Sequence, residues 1–403
     1  MRGKEKQGKV NGKVDQGKIH KISVLVGNGF DIQILKHLKE PVDTSYISFY
    51  NFINWKYKDA IKNNIIVQKM EKDKELGKDY WSDFENTIKD IIKMEYSNKC
   101  KNNDKNVETK YRLALLELQY YFSDFLNTIV TTEVLAEVDK LGQVSEGSSE
   151  SLPLVTLKYF SGDLSPEESK RLKFLDKDKI QTFDVLDFTF FNFNYTPLFD
   201  NYITLGKSDF DPHTHKHSEN NFILGKATVN KKFDKLYVKL RTRIFHPHGY
   251  QHTPRSMLFG FDNPNQVIDD YKGDLYTNEE VQAYVKYFLK PYWAENNMRY
   301  KKYLTESELY ILFGHSIGES DRYWWGNILN NLKNNKSELI IYNYTNNDTD
   351  GEKTSIKLNF LAAAGFAEEK EVEKILKRIF VINFNEKKSR YAFNVDKNKL
   401  KIT

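Results

Sequence analysis

Four short polar turns hold most of the side chains suited to chemistry: Gly27-Asn28-Gly29-Phe30-Asp31, Asn192-Phe193-Asn194-Tyr195-Thr196, His246-Pro247-His248-Gly249, and Gly314-His315-Ser316 running on to Asp321. Each follows a short apolar run. Gly27 and Gly29 would let backbone N–H groups approach an anion at a helix N-terminus, where the helix dipole favours negative charge. Gly314 and Ser316 could do the same from a second turn. Asn194 can hold a hydroxyl or a water without carrying charge, and His248 titrates near neutrality and can accept or donate a proton. Asp31 and Asp321 could grip hydroxyls or balance a developing positive charge. Taken singly, each turn also has a plain structural use as a strand-to-helix turn, an N-cap or a satisfied core histidine. Their co-occurrence carries the argument.

The elements that must position these turns read as a parallel α/β sheet. Short apolar runs end in each turn: Ile22–Val26, Phe183–Asn194, Arg243–Tyr250, "SMLFGF" and Glu308–Ser316, with "ELIIYNY" and "RIFVINF" adding two more strands. Helical patterns at Ile32–Glu40, Thr277–Asn297 and Glu319–Leu332 lie between them, and strand, polar turn, helix in repetition is the mark of a parallel sheet. In such sheets ligands sit at the carboxyl ends of the strands. Residues 45–136 are mainly helical, with Thr44 or Ser45 as an N-cap, and 137–180 read as a loop followed by a short helix. The expected organisation is a basic tail over 1–19, an α/β core of 20–44 with 181–403, and a helical insertion over 45–180.

Composition narrows the setting. The 403 residues carry a net charge of +5, but residues 1–19 hold six Lys or Arg against Glu5 and Asp15, so the folded part is close to neutral and no general nucleic-acid surface is indicated. A single cysteine, Cys100, cannot form an internal disulfide and suits a reducing compartment. No apolar run approaches the roughly 20 residues needed to span a bilayer. The N-terminus lacks the apolar segment of a signal peptide. A cytoplasmic protein is expected, and self-association is left open.

The ordered set "VGNGFD", "TSYISF", "W-DFE", "FNFNYT", "HPHG" and "FGHSIGESD", from Val26 to Asp321, resembles the AbiH family of bacteriophage abortive-infection proteins. The same turns are similar to the wider Sir2-like group of NAD-binding proteins. That resemblance implies a Sir2-like, Rossmann-like core with a large helical insertion. Gly27, Asn28, Gly29 and Phe30 would form the phosphate loop, and Gly314, His315, Ser316 and Asp321 further phosphate or ribose contacts. Asn194, His248 and Asp31 would be the catalytic set, with His246 set aside because only His248 precedes glycine. One cysteine excludes the four-cysteine zinc site of Sir2 deacetylases, which disfavours deacetylation.

NAD enters as substrate, with no metal, and its hydrolysis to nicotinamide and ADP-ribose is the expected reaction. A phage-derived trigger or partner protein would engage it. Two rivals stand beside this reading. One is a non-catalytic nucleotide-binding switch in phage defence. The other is a metal-dependent nuclease built on Asp211, His213, His215 and His217, for which a solvated loop is the plainer account.

Overall fold

A computed structural model describes residues 17–78, 81–82, 84–99, 107–143, 150–176, 179–181, 183–206, 222–225, 235–262, 288–290, 299–334, 337–366 and 371–400. Seven strands form one sheet: β1 (Ile19–Val26), β2 (Val185–Asn192), β3 (Phe222–Gly225), β4 (Lys235–Phe245), β5 (Leu309–Phe313), β6 (Glu338–Tyr344) and β7 (Ile379–Phe384), in the order β3-β4-β2-β1-β5-β6-β7. All neighbours pair in parallel except β3, which runs antiparallel along β4 at the edge. Numbered by appearance, the six parallel strands lie 3-2-1-4-5-6. That is the doubly wound Rossmann-like order, and its switch point falls between β1 and β5.

The strands are almost wholly apolar because both faces are covered, as parallel sheets require. Val24, Val26, Ile311 and Phe313 face one buried layer. Leu25, Tyr310 and Leu312 face the other, against Trp324, Trp325 and Ile328. Register aligns the strand ends: Val26 pairs with both Asn192 and Phe313, and Phe191 pairs with Phe245. The four polar turns therefore emerge at one edge of the sheet.

Thirteen helices complete the described residues: α1 (Gly29–His37), α2 (Tyr46–Lys56), α3 (Ile65–Glu75), α4 (Phe84–Lys99), α5 (Val107–Ile129), α6 (Thr132–Gly142), α7 (Leu152–Lys158), α8 (Pro166–Arg171), α9 (Leu198–Ile203), α10 (Lys301–Thr305), α11 (Arg322–Lys333), α12 (Asp350–Ala363) and α13 (Val372–Leu376). Helices α2–α8 intervene between β1 and β2, and their apolar faces share one buried layer with the sheet, where Phe49, Phe122 and Phe125 join Phe30 and Phe190. Among the described residues no helix is long and apolar enough to cross a membrane.

The structure corrects several expectations. Helix α1 begins at Gly29, not Ile32, with Asn28 at its N-cap, so Asp31 lies in its first turn. Ser45, not Thr44, caps α2 by accepting from the Ser48 amide. The stretch read as a loop and one short helix also holds α7, whose seven residues are all buried and so show no amphipathic period. Its neighbour α8 starts where a Ser165/Glu168 capping box and Pro166 direct it. "SMLFGF" is not a sheet strand. It bends beneath the His248 turn, with the Leu258 amide donating to His248 O and only an isolated bridge from Phe261 to Leu289. The helix expected over Thr277–Asn297 lies outside the described residues apart from 288–290.

After β7 the chain doubles back across the first buried layer. Phe393 stacks on Phe313 at 4.5 Å and Phe384 does so at 5.3 Å. The buried Arg390 guanidinium donates to Gln33 Oε1 on α1 and to Phe393 O.

Candidate functional site

Two turns meet at the switch point so closely that neither tolerates a side chain. A Cβ on Gly27 would lie 2.6 Å from Gly314 O, and one on Gly29 would lie 2.7 Å from Gly314 Cα. Gly314 itself takes φ +66°, a left-handed conformation natural to glycine. The Gly27 amide donates to Phe313 O and the Gly29 amide to Gly314 O, both at 2.9 Å. These two amides are thus spent on joining the turns, which is not the anion-cradling use expected of them.

Asn28 also has a structural partner. Its Nδ2 donates to Thr44 O at 3.1 Å, and its Oδ1 accepts from Thr44 Oγ1 at 2.6 Å. The side chain clamps the start of α2 to the end of β1. Phe30, expected in the binding loop, instead points into the core, fully buried against Phe199, Tyr202 and Phe313. The strand-to-helix turn places it on the face of α1 that packs on the sheet.

The other expected residues surround one cavity of about 460 Å³, in the size range of small-molecule sites. Gly27, Asn28, Gly29, Asp31, Asn194, His248, Gly314, His315, Ser316 and Asp321 all border it. Asp31 is fully buried and accepts from Asn194 Nδ2 at 2.7 Å and from Thr196 Oγ1. Burial pushes its carboxyl up to about 7, against the lowering effect of the Thr196 bond. Its two oxygens are taken up by the Asn194 amide and by the Thr196 hydroxyl. Asn194 is held further by its amide on Asn192 Oδ1 and by His246 Nδ1 on its carbonyl. His246 Nε2 meets Asp200 at 3.0 Å, so this histidine ties β4 to β2 and α9 and stays off the cavity lining. The Asn194 Oδ1, buried at the cavity wall, has no hydrogen-bond partner among the described residues.

On the opposite wall, His248 Nε2 lies 3.2 Å from Asp321 Oδ1. That approach is an ion-pair contact without hydrogen-bond geometry, for among the described residues His248 Nε2 has no hydrogen-bond partner. Lys290, with its side chain fully buried, bridges Asp321 Oδ1 and Glu85 Oε1, each at 2.8 Å. Burial alone would raise Asp321, but Lys290 and His248 outweigh it and hold that carboxylate well below the usual range. Burial would likewise neutralise Lys290, yet Asp321, Glu85 and Asp262 keep it charged. Asp262, buried behind them and bonded by the Tyr323 amide at 3.1 Å, is driven up to about 8 by burial, which the nearby Lys290 only partly offsets.

Phe193 separates the two histidines, its ring 4.9 Å from His248 and 4.8 Å from His315, both edge-on. Both ring nitrogens of His315 are buried and unpaired among the described residues, and burial brings its pKa down to about 4, so the ring is neutral near pH 7. Sequence reading missed Glu85, Lys290 and Thr196 as partners of the carboxylates around the cavity. Glu85 ends the quoted "W-DFE", so a signal existed. Lys290 stands alone in "FLKPYW" and had none. The Asp211–His217 cluster lies outside the described residues.

The chemistry available is a buried acceptor on one wall, a carboxylate-backed imidazole on the other, and a switch-point crevice between them. No curated protein matches the chain. The model of one family, described as bacteriophage abortive infection AbiH, matches residues 24–344, which takes in every residue of the crevice. The chain therefore belongs to the AbiH family of bacteriophage abortive-infection proteins.

Proposed function

We propose that this abortive-infection protein uses a Sir2-like crevice to hydrolyse NAD to nicotinamide and ADP-ribose, so that an infected cell is arrested by loss of its NAD. The observation that carries the reading is the pairing, across one switch-point cavity, of the unpartnered Asn194 Oδ1 with His248 seated on Asp321. Dinucleotides bind at such switch points in doubly wound sheets.

In this reading Asn194 Oδ1 accepts from a ribose hydroxyl or from the attacking water, and Asp31 keeps the amide facing that way. The bond between ribose C1′ and the pyridinium nitrogen breaks with its electron pair going to nitrogen, so neutral nicotinamide leaves. The ribose passes through an oxocarbenium-like state, as in glycoside hydrolysis. Water adds at C1′ and gives its proton to His248 Nδ1, the nitrogen not engaged by Asp321. Asp321 then balances the imidazolium, as the carboxylate does in hydrolytic triads. Serine and threonine hydroxyls at Thr44, Ser45, Ser316 and Ser320 line the same cavity and suit the sugar and phosphate portions.

The test is to incubate the purified full chain with NAD, with and without a phage lysate as trigger, and to quantify nicotinamide. Release that disappears in His248→Ala supports the proposal. Absence of release under both conditions overturns it, and NAD binding without release would favour the non-catalytic switch.

A further inference from the structure

The cavity contains an electrostatic pattern unusual for a site that would hold a pyrophosphate. Among the described residues neither Lys nor Arg lines it, whereas Asp31, Glu85 and Asp321 do. Lys290 sits behind the wall with no exposed side-chain surface and is shared by Glu85 and Asp321, with Asp262 adding a further acidic group. Glu85 is the wall's most accessible member, its side chain 20% exposed against 8% for Asp321. Unpaired polar atoms mark the same place as a ligand site: Asn194 Oδ1 and both His315 nitrogens are buried there with no partner among the described residues.

Resting on the NAD reading, we propose that the crevice selects its nucleotide by charge. It accepts the oxidised, pyridinium-bearing dinucleotide and disfavours the reduced dinucleotide and nucleoside polyphosphates, with Glu85 as the specificity-determining residue. Among the described residues, phosphate groups in this cavity are met by hydroxyls, backbone dipoles and helix N-termini, which tolerate an anion but do not neutralise it as an arginine would. A positive ring lowers the ligand's net anionic charge and meets the Glu85–Asp321 wall, while loss of that ring charge leaves two phosphate charges facing carboxylates. Glu85 comes from α4, between β1 and β2, so the inserted helices would supply the discriminating charge and the sheet the remaining contacts.

The experiment is calorimetric titration of the full chain with carba-NAD, a non-cleavable oxidised analogue, with NADH and with ATP, for wild type and Glu85→Gln. Wild type is expected to bind carba-NAD at least about tenfold more tightly than NADH and to show weaker binding still of ATP, a tenfold ratio being about 1.4 kcal/mol. Glu85→Gln should bring the carba-NAD/NADH ratio to within about twofold of unity, by weakening the oxidised form and relieving the repulsion of the reduced one. Equal affinities in wild type, or an unchanged ratio in a folded Glu85→Gln protein, would overturn the proposal. Should that variant not fold, the wild-type ratio is read at about 50 mM and about 500 mM salt, where screening must shrink it. Nicotinamide release measured alongside separates the two ideas. Preference without release sinks hydrolysis only, release without preference sinks charge selection only, and no nucleotide binding sinks both.

Discussion

Asn194 Nδ2 donates to Asp31 Oδ1 at 2.7 Å, and this contact determines which end of the Asn194 amide faces the crevice. With Nδ2 turned to that oxygen, the carbonyl oxygen of the same amide is turned away from Asp31. Thr196 occupies the second Asp31 oxygen. A residue in the first turn of α1 thereby orients a residue at the end of β2, although neither turn alone explains the other.

Asp31 should leave a pH signature on stability. Its carboxyl is raised by burial from 3.8 to about 7, so the folded protein binds more protons than the unfolded chain between those values. Stability from this group is full below about pH 4 and declines as pH climbs through about 7, by at most about 4 kcal/mol. Asp31→Asn removes the effect. Urea unfolding at about pH 5 and about pH 8 should show the variant gaining on wild type at the higher pH. A gap that stays constant counts against the assignment.

His248 and Asp321 should act as one unit. His248→Ala is expected to lower the rate of nicotinamide release by about 10²–10⁴, the usual contribution of a general base. Asp321→Asn should lose a comparable factor, and the double variant little more than His248→Ala alone. Additive losses in that cycle would mean that the 3.2 Å contact has no part in proton transfer.

Gly314→Ala and Gly29→Ala should damage the fold before they damage any binding. The new methyls would meet Phe30 N and Gly314 Cα, each at 2.7 Å, and Gly314 adds the strain of φ +66°. About 2–4 kcal/mol of destabilisation is expected, within the range for backbone overpacking. Thermal unfolding is the measurement, and wild-type stability in either variant contradicts the close contact.

The Asn28–Thr44 clamp predicts a local effect. Asn28→Ala removes both bonds to Thr44 and should cost about 1–3 kcal/mol, since partly buried partners are left unmet. Hydrogen exchange of amides over 44–50 should quicken more than that over β6. Uniform quickening would assign the loss to the whole fold.

What could be read in advance divides along physical lines. The sheet was legible because β1, β2, β5, β6 and β7 are short apolar runs ending in polar turns, and such runs mark strands buried on both faces. Their alignment at one edge followed from parallel pairing. Helix α7 was not legible, because a helix buried on every side shows no period. The glycines were found, but their main use was not, since sequence cannot reveal that Gly29 and Gly314 press on each other across 285 positions. Residues such as His248 announced themselves through a neighbouring glycine. Lys290 acts only through burial among Glu85, Asp321 and Asp262, a property of three separate segments that no local pattern encodes.

The return of the chain after β7 bears on how the protein can be handled. The family-matched span stops at residue 344, before β7 and before Phe384, Arg390 and Phe393. Yet Phe384 and Phe393 cover Phe313, the last residue of β5 and the immediate neighbour of Gly314. Arg390 also grips Gln33 on α1. A fragment trimmed to the matched span would expose the hydrophobic underside of the crevice and leave β6 as a bare edge open to aggregation. The recognisable portion of this sequence is thus smaller than its folding unit. Expression boundaries, peptide tags and reporter fusions should accordingly be chosen to leave the stretch through Val395 intact.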